Sequence, residues 1–177
     1  AVVTNLLMGT AHPLIDVELS DGTYYSPRRV GAGAVDALAA TTATVYPTVV
    51  GAADPSRPKA DLGDGTKGWT FQVQLTNLSD AAYTYTLGGQ ALSEMVEEGL
   101  FLEHSQNWAG AGISLTFSGD GVAEAGDAQQ ITVPAMSNAT VTVTVTPESE
   151  FAAFASENTP KGTFIDGAVT FTSEDGT

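Results

Sequence analysis

Two stretches of this chain alternate with a period of two, "GWTFQVQLTN" at residues 68–77 and "NATVTVTVTP" at residues 138–147. Successive side chains of a strand point to opposite faces. Trp69, Phe71, Val73 and Leu75 therefore fall on one side, and Thr70, Gln72, Gln74 and Thr76 on the other. Val141, Val143 and Val145 alternate with threonines in the same way. A helix would scatter these residues around its circumference, so both stretches are predicted to be half-buried strands. The pattern recurs in Tyr83, Tyr85 and Leu87, in Ile113, Leu115 and Phe117, in Ile131 and Val133, and in Ile165, Val169 and Phe171. "NLSDA" and "SGDG" supply turn signals between runs, and Pro47 in "ATVYPTVVG" suits an edge strand. Short strands, frequent turns and little helix predict an antiparallel β-sandwich over residues 42–177. "GQALSEMVEEGLFLEHSQNWAGAG", residues 89–112, interrupts the pattern and reads as a brief helix or a loop.

Residues 1–41 have a different texture. "AVVTNLLMGTA" places Val3, Leu6, Leu7 and Thr10 at helical spacing. Ile15, Val17 and Leu19 alternate, Asp21-Gly22 is a tight-turn dipeptide, and residues 23–25 return as a second strand. Gly31 and Gly33 open a turn and "AVDALAA" closes the segment as a short helix. So few apolar residues cannot enclose a core, so the segment must lean on another body.

The charge balance narrows the partners. Twenty-one acidic residues face six basic ones among 177, a formal net charge of -15. Such a field repels nucleic acid and anionic membrane, and neither is an expected partner. No stretch approaches the roughly 20 apolar residues of a membrane-spanning helix. The absence of cysteine removes disulfides and thiolate metal sites from consideration. "AVVTNLLMGTA" lacks the basic start of a signal peptide, and the first residue is not Met, which fits a processed or excised chain.

"NLLMGTAHP" followed by "YSPRRVGAGAVDALAATTATVY" resembles the carboxyl-terminal end of the catalytic domain of cell-envelope subtilisin-like proteases, the lactocepin and C5a-peptidase-like branch. "KADLGDGTKGWTFQVQLTNLSDAAYTYTL" is similar to the fibronectin-type-III-like domain, Fn1, that follows in those proteases. The resemblance implies a fibronectin-III/Ig-like sandwich over 42–177, preceded at 1–41 by the α/β tail of a subtilisin-like domain. It implies a secreted, cell-wall-associated serine endopeptidase as parent, whose catalytic domain is this module's partner and whose substrates are proteins or peptides. It also implies a further strand beyond "FTSEDGT", hence an open sheet edge near residues 164–171 or near the strand that would have paired with the lost one, and a leading segment partly disordered or packed against a neighbouring molecule. The chemistry itself is not expected here. A subtilase needs serine, histidine and aspartate in Gly-Thr-Ser-Met-Ala, His-Gly-Thr-His and Asp-Ser/Thr-Gly contexts. "GTA" at residues 9–11 lacks the serine, and neither His12 nor His104 precedes Gly-Thr-His.

Among side chains with chemical potential, Arg28 and Arg29 fit either an anion site or, with Tyr25, contacts that hold the segment against the catalytic body. Asp61 and Asp64, and Asp120 and Asp127 with Glu124, are two weak calcium candidates whose ordinary explanation is a polar turn; no other cofactor is expected. Trp108 suits an exposed recognition aromatic or a cap on the sandwich, and Trp69 the core. Glu148, Glu150 and Glu157 around Phe151 and Phe154 read as an amphipathic turn with the rings inward. His12 and His104 lack ligand-spaced neighbours, so zinc is not expected. The alternative to a protease accessory domain is a free-standing adhesin or ligand- or calcium-binding module.

Overall fold

The computed structural model describes residues 1–173. Its frame is two facing antiparallel sheets. The first runs β1 (Val45–Val49), β2 (Trp69–Asn77), β8 (Asn138–Pro147) and β5 (Ile113–Ser118), in that order. The second contains β4 (Leu100–Asn107), β3 (Tyr83–Glu97), β7 (Ala128–Val133) and β6 (Val122–Ala125), with β9 (Asp166–Ser173) paired to β3. The period-two reading holds where it was clearest. Val73 pairs with Val141 and Phe71 with Val143, while Gln72 and Thr142 sit opposite each other on the other face. Val73, Leu75, Ile113, Ile131, Val141 and Val143 are buried between the sheets, each burial stabilising by about 1.5–3 kcal/mol. β1, with its Pro47, lies at a sheet edge as expected.

β3 is fifteen residues long and organises the second sheet. Leu87 pairs with both Gln129 of β7 and Phe171 of β9, so those strands flank it on opposite edges. Leu92 pairs with Asn107 and Asp166, so β4 takes over the edge that β7 leaves. The expectation of a helix or loop at 89–112 is therefore corrected to a β-hairpin. Its helix-forming residues are overruled by Glu98-Gly99, both at positive φ (50° and 78°), the two-residue turn whose twist matches paired strands. α4 (Ser149–Asn158) closes one end of the sandwich with Phe151 buried, as the amphipathic pattern indicated. Among the described residues, 166–173 of β9 have β3 as their strand partner. The expected strand beyond "FTSEDGT" lies outside the described residues.

The leading segment comprises α1 (Val2–Gly9), α2 (Pro27–Val30) and α3 (Ala37–Thr42). The expected hairpin shrinks to a single bridge, Ile15 with Tyr24, and a second bridge joins His12 to Ala34. The second bridge depends on Gly33: at φ 111°, a Cβ there would lie 2.0 Å from the His12 carbonyl oxygen. The expectation of partial disorder is also corrected. α1 packs on β1 and α3, and α2 on β9. Leu92 is fully buried yet outside the inter-sheet core. It lies two positions along β3 from Gln90, whose side-chain amide donates to the Gly22 carbonyl and accepts from the Tyr24 N–H. The segment thus covers the outer face of the second sheet there.

Candidate functional site

The polarity of the segment is inverted. Of the alternating residues, Ile15 is 51% and Val17 79% exposed, while Asp16 between them is fully buried. The buried residues of the segment are Asn5, Asp16, Thr23, Ser26 and Ala40, all but one polar. Val3, Leu14, Ile15, Val17, Val35 and Leu38 are exposed. The polar side faces the sandwich because that is where its hydrogen-bond partners are, and a buried carboxylate without partners would be prohibitively costly.

Asp16 meets those partners at a bulge. On β3, Glu94 pairs with Ser105 and Val96 with Phe101, so two steps on β3 oppose four on β4. Leu102, Glu103 and His104 thus stand opposite Met95 alone, two residues in surplus, and such irregularities re-aim side chains. His104 Nδ1 lies 2.7 Å from Asp16 Oδ2, and its Nε2 lies 3.6 Å from Glu18 Oε2. The Glu18 N–H donates to Asp16 Oδ1 at 3.1 Å, and the Tyr25 hydroxyl also donates to this carboxylate. Burial pushes the Asp16 carboxyl up, but the His104, Glu18 and Tyr25 hydrogen bonds with the imidazole's charge outweigh it and hold the group below 3.8. The bond to Asp16 raises His104 above 6.5, helped against desolvation by the charges of Asp16, Glu18 and Glu103. The same surroundings of burial and acids push the Tyr25 phenol up.

A second anchor lies on α2. Ser26 caps this helix, accepting from the Arg28 N–H, and donates a short hydrogen bond to Asp166 of β9. Arg28 Nε donates to the same Asp166 oxygen at 2.8 Å, and its guanidinium lies 4.3 Å from the centre of the Phe164 ring. Arg29 donates to the Glu103 carbonyl at 2.6 Å, within the bulge. Arg28, Arg29 and Tyr25 are all engaged within this chain. Their partners are Asp166, Glu103 and Asp16 of this chain, because the bulge and the start of β9 offer acceptors on the covered face.

Of the two readings of Trp108, the structure excludes the exposed recognition residue and supports the cap: the ring is a buried plug. It is 7% exposed, donates to Ser93 Oγ at 2.9 Å, and packs edge-on against Phe151 and tilted against Phe154. α4 covers it, which no local signal around "HSQNWAGAG" could announce. Trp69 packs against the core and donates to the Gly63 carbonyl. Asp61, Asp64, Asp120, Glu124 and Asp127 are all exposed on loops and a short edge strand. Among the described residues, no three His, Asp or Glu side chains converge as metal ligands do.

The arrangement does not assemble a hydrolase. Asp16 and His104 have the geometry of an aspartate–histidine pair, but the carboxylate of Glu18 stands at Nε2, where a nucleophilic hydroxyl would have to lie. Asp16 and His104 were missed in the sequence because they are 88 positions apart, and Asp166 because it lies 138 from Arg28. The one local hint was a charged residue flanked by Ile15 and Val17 on an alternating run.

No curated protein matches the chain. The family model described as Fn3-like domain matches residues 61–177, and the strands of both sheets except β1 fall within that span. With two antiparallel sheets and a match over more than half its length, this chain belongs to the Fn3-like domain family.

Proposed function

We propose that this chain is a non-catalytic accessory module of a secreted, cell-wall-associated subtilisin-like serine endopeptidase, bearing on the catalytic domain through the outer side of residues 1–41. The observation that carries the reading is the inverted polarity of that segment, with Asp16, Thr23 and Ser26 inward and Ile15, Val17, Val35 and Leu38 outward. Exposed apolar surface gains about 25 cal/mol for each Å² taken out of water, so such a side is suited to contact with another body. The resemblance of "NLLMGTAHP" and "YSPRRVGAGAVD" to the end of a subtilase catalytic domain supplies the identity of that body. In this role the sandwich is a stiff support: it holds the segment, and through it the flank of the substrate cleft, at a constant distance from the wall.

The test has a genetic and a physical arm. The coding region just upstream should encode serine in a Gly-Thr-Ser-Met-Ala context. The double variant Val17→Asp, Leu38→Asp should keep the chain's thermal midpoint, because surface changes shift stability by only about 0.5 kcal/mol. It should abolish association with the catalytic domain encoded upstream. An upstream region without that serine, or unchanged association, overturns the proposal.

A further inference from the structure

The seam between segment and sandwich has one property that does not depend on what covers the outer side. His104 stands between two carboxylates, Asp16 at Nδ1 (2.7 Å) and Glu18 at Nε2 (3.6 Å). A neutral imidazole carries one N–H and one lone pair. With the proton on Nδ1 it serves Asp16 but turns its lone pair on Glu18. With the proton on Nε2 it turns the lone pair on Asp16, which is fully buried and has no water to turn to. Only the imidazolium both donates to Asp16 and presents positive charge, not a lone pair, to Glu18, whose exposed carboxylate acts on it by charge at 3.6 Å.

We propose that Asp16 and His104 form a pH-sensitive clamp that seats residues 14–26 on the outer face of the second sheet, tight while His104 is protonated and loosened when it gives up its proton. The clamp joins the two parts of the chain: Asp16 belongs to the leading segment and His104 to the bulge of β4. The acids around it favour the cation, against the Arg29 guanidinium. From the segment come Asp16, Glu18, Asp21 and the Tyr25 hydroxyl, with Arg29 bonded to the Glu103 carbonyl nearby. From β4 comes Glu103, and β3 brings Glu94 and Glu97 beside the bulge. Asp166 on β9 is engaged by Ser26 and Arg28, a second anchor that holds α2 and does not involve His104. Loosening therefore begins at residues 14–25, with α2 still attached.

The sign follows from the directions of the two shifts. His104 is raised, so its contribution is complete below 6.5 and is lost as pH rises through its folded value. Asp16 is lowered, so its contribution is complete above 3.8 and is lost as pH falls through its folded value. The clamp is tightest between those limits. Each unit by which His104 is raised corresponds to about a tenfold change in the ratio of seated to released segment between the two protonation states.

The experiment is amide hydrogen exchange on the full chain by NMR, as protection factors corrected for the intrinsic pH dependence, together with titration of the His104 ring. The reporter is the Tyr24 N–H, which donates across the seam to Gln90 at 2.9 Å. Its protection should fall as pH rises through the His104 midpoint, which should lie above 6.5, while the amides of Val141 and Val143 hold theirs. His104→Gln, which keeps a side-chain N–H without the charge, should remove that pH dependence. A midpoint at or below 6.5, flat Tyr24 protection in the wild type, or the same pH dependence in His104→Gln overturns the proposal. Should His104→Gln fail to fold, the wild-type titration and protection decide alone. The outcome is separate from association with a catalytic domain, so each proposal can fail without the other.

Discussion

Replacing Trp108 tests whether the hairpin, the sandwich and α4 form one packed unit. The indole is 7% exposed, donates to Ser93 Oγ, and lies 5.2 Å and 4.7 Å from the ring centres of Phe151 and Phe154. Trp108→Ala removes that buried ring and leaves a cavity, a cost of about 3–5 kcal/mol. For a chain of this size about 2–4 °C of midpoint is lost per kcal/mol, so the midpoint should fall by roughly 6–20 °C. Trp108→Phe should cost only about 1 kcal/mol, mostly the lost hydrogen bond, because Ser93 Oγ still has the Glu94 carbonyl at 3.0 Å. Gly112 provides the sharper control. A Cβ there would lie 2.9 Å from Trp108 Cε3 and 3.0 Å from the Phe151 nitrogen. Gly112→Ala should therefore cost about 1–3 kcal/mol by overpacking. In the Trp108→Ala background part of that clash is gone and the added methyl occupies part of the cavity. The two substitutions should then be coupled by about 0.5–3 kcal/mol, the double variant being more stable than their sum. Urea unfolding followed by far-UV circular dichroism measures all four proteins. If Trp108→Ala stays within about 0.5 kcal/mol of wild type, or the costs simply add, the buried plug is refuted.

Further outcomes are expected elsewhere. Arg28→Ala loses an ion pair that is partly open to solvent and a ring contact, so it should lower stability by about 1 kcal/mol, read by thermal unfolding; no change would show Asp166 to be held by Ser26 alone. Asp16→Asn should flatten the acid limb of the stability curve, since the wild type loses the Asp16 contribution as pH falls below 3.8; equal acid limbs in the two proteins would contradict the clamp. Calcium at about 1 mM should leave the thermal midpoint unchanged, because Asp61 and Asp64, and Asp120 and Asp127, are not gathered into a site. A rise with calcium would favour the ligand-binding alternative.

The sandwich was legible because its information is local. Alternation along residues 69–77 and 139–146 declares which face is buried before any partner strand is known, and Pro47 declares an edge. Helix formers in "ALSEMVEEG" misled, because propensity is worth tenths of a kcal/mol per residue and the Glu98-Gly99 turn with its cross-strand partners outweighs it.

What the amino-acid order alone determined was the fold class and the inward residues of β2 and β8. Only the tertiary structure decided the seam. There Asp16 turns inward and its apolar neighbours outward, because the acceptors and donors it needs (His104 on the β4 bulge, Tyr25, the Glu18 amide) come from other parts of the chain. A buried carboxylate is stable only where such partners converge, and convergence over 88 positions is a property of the folded chain, not of any window of its sequence.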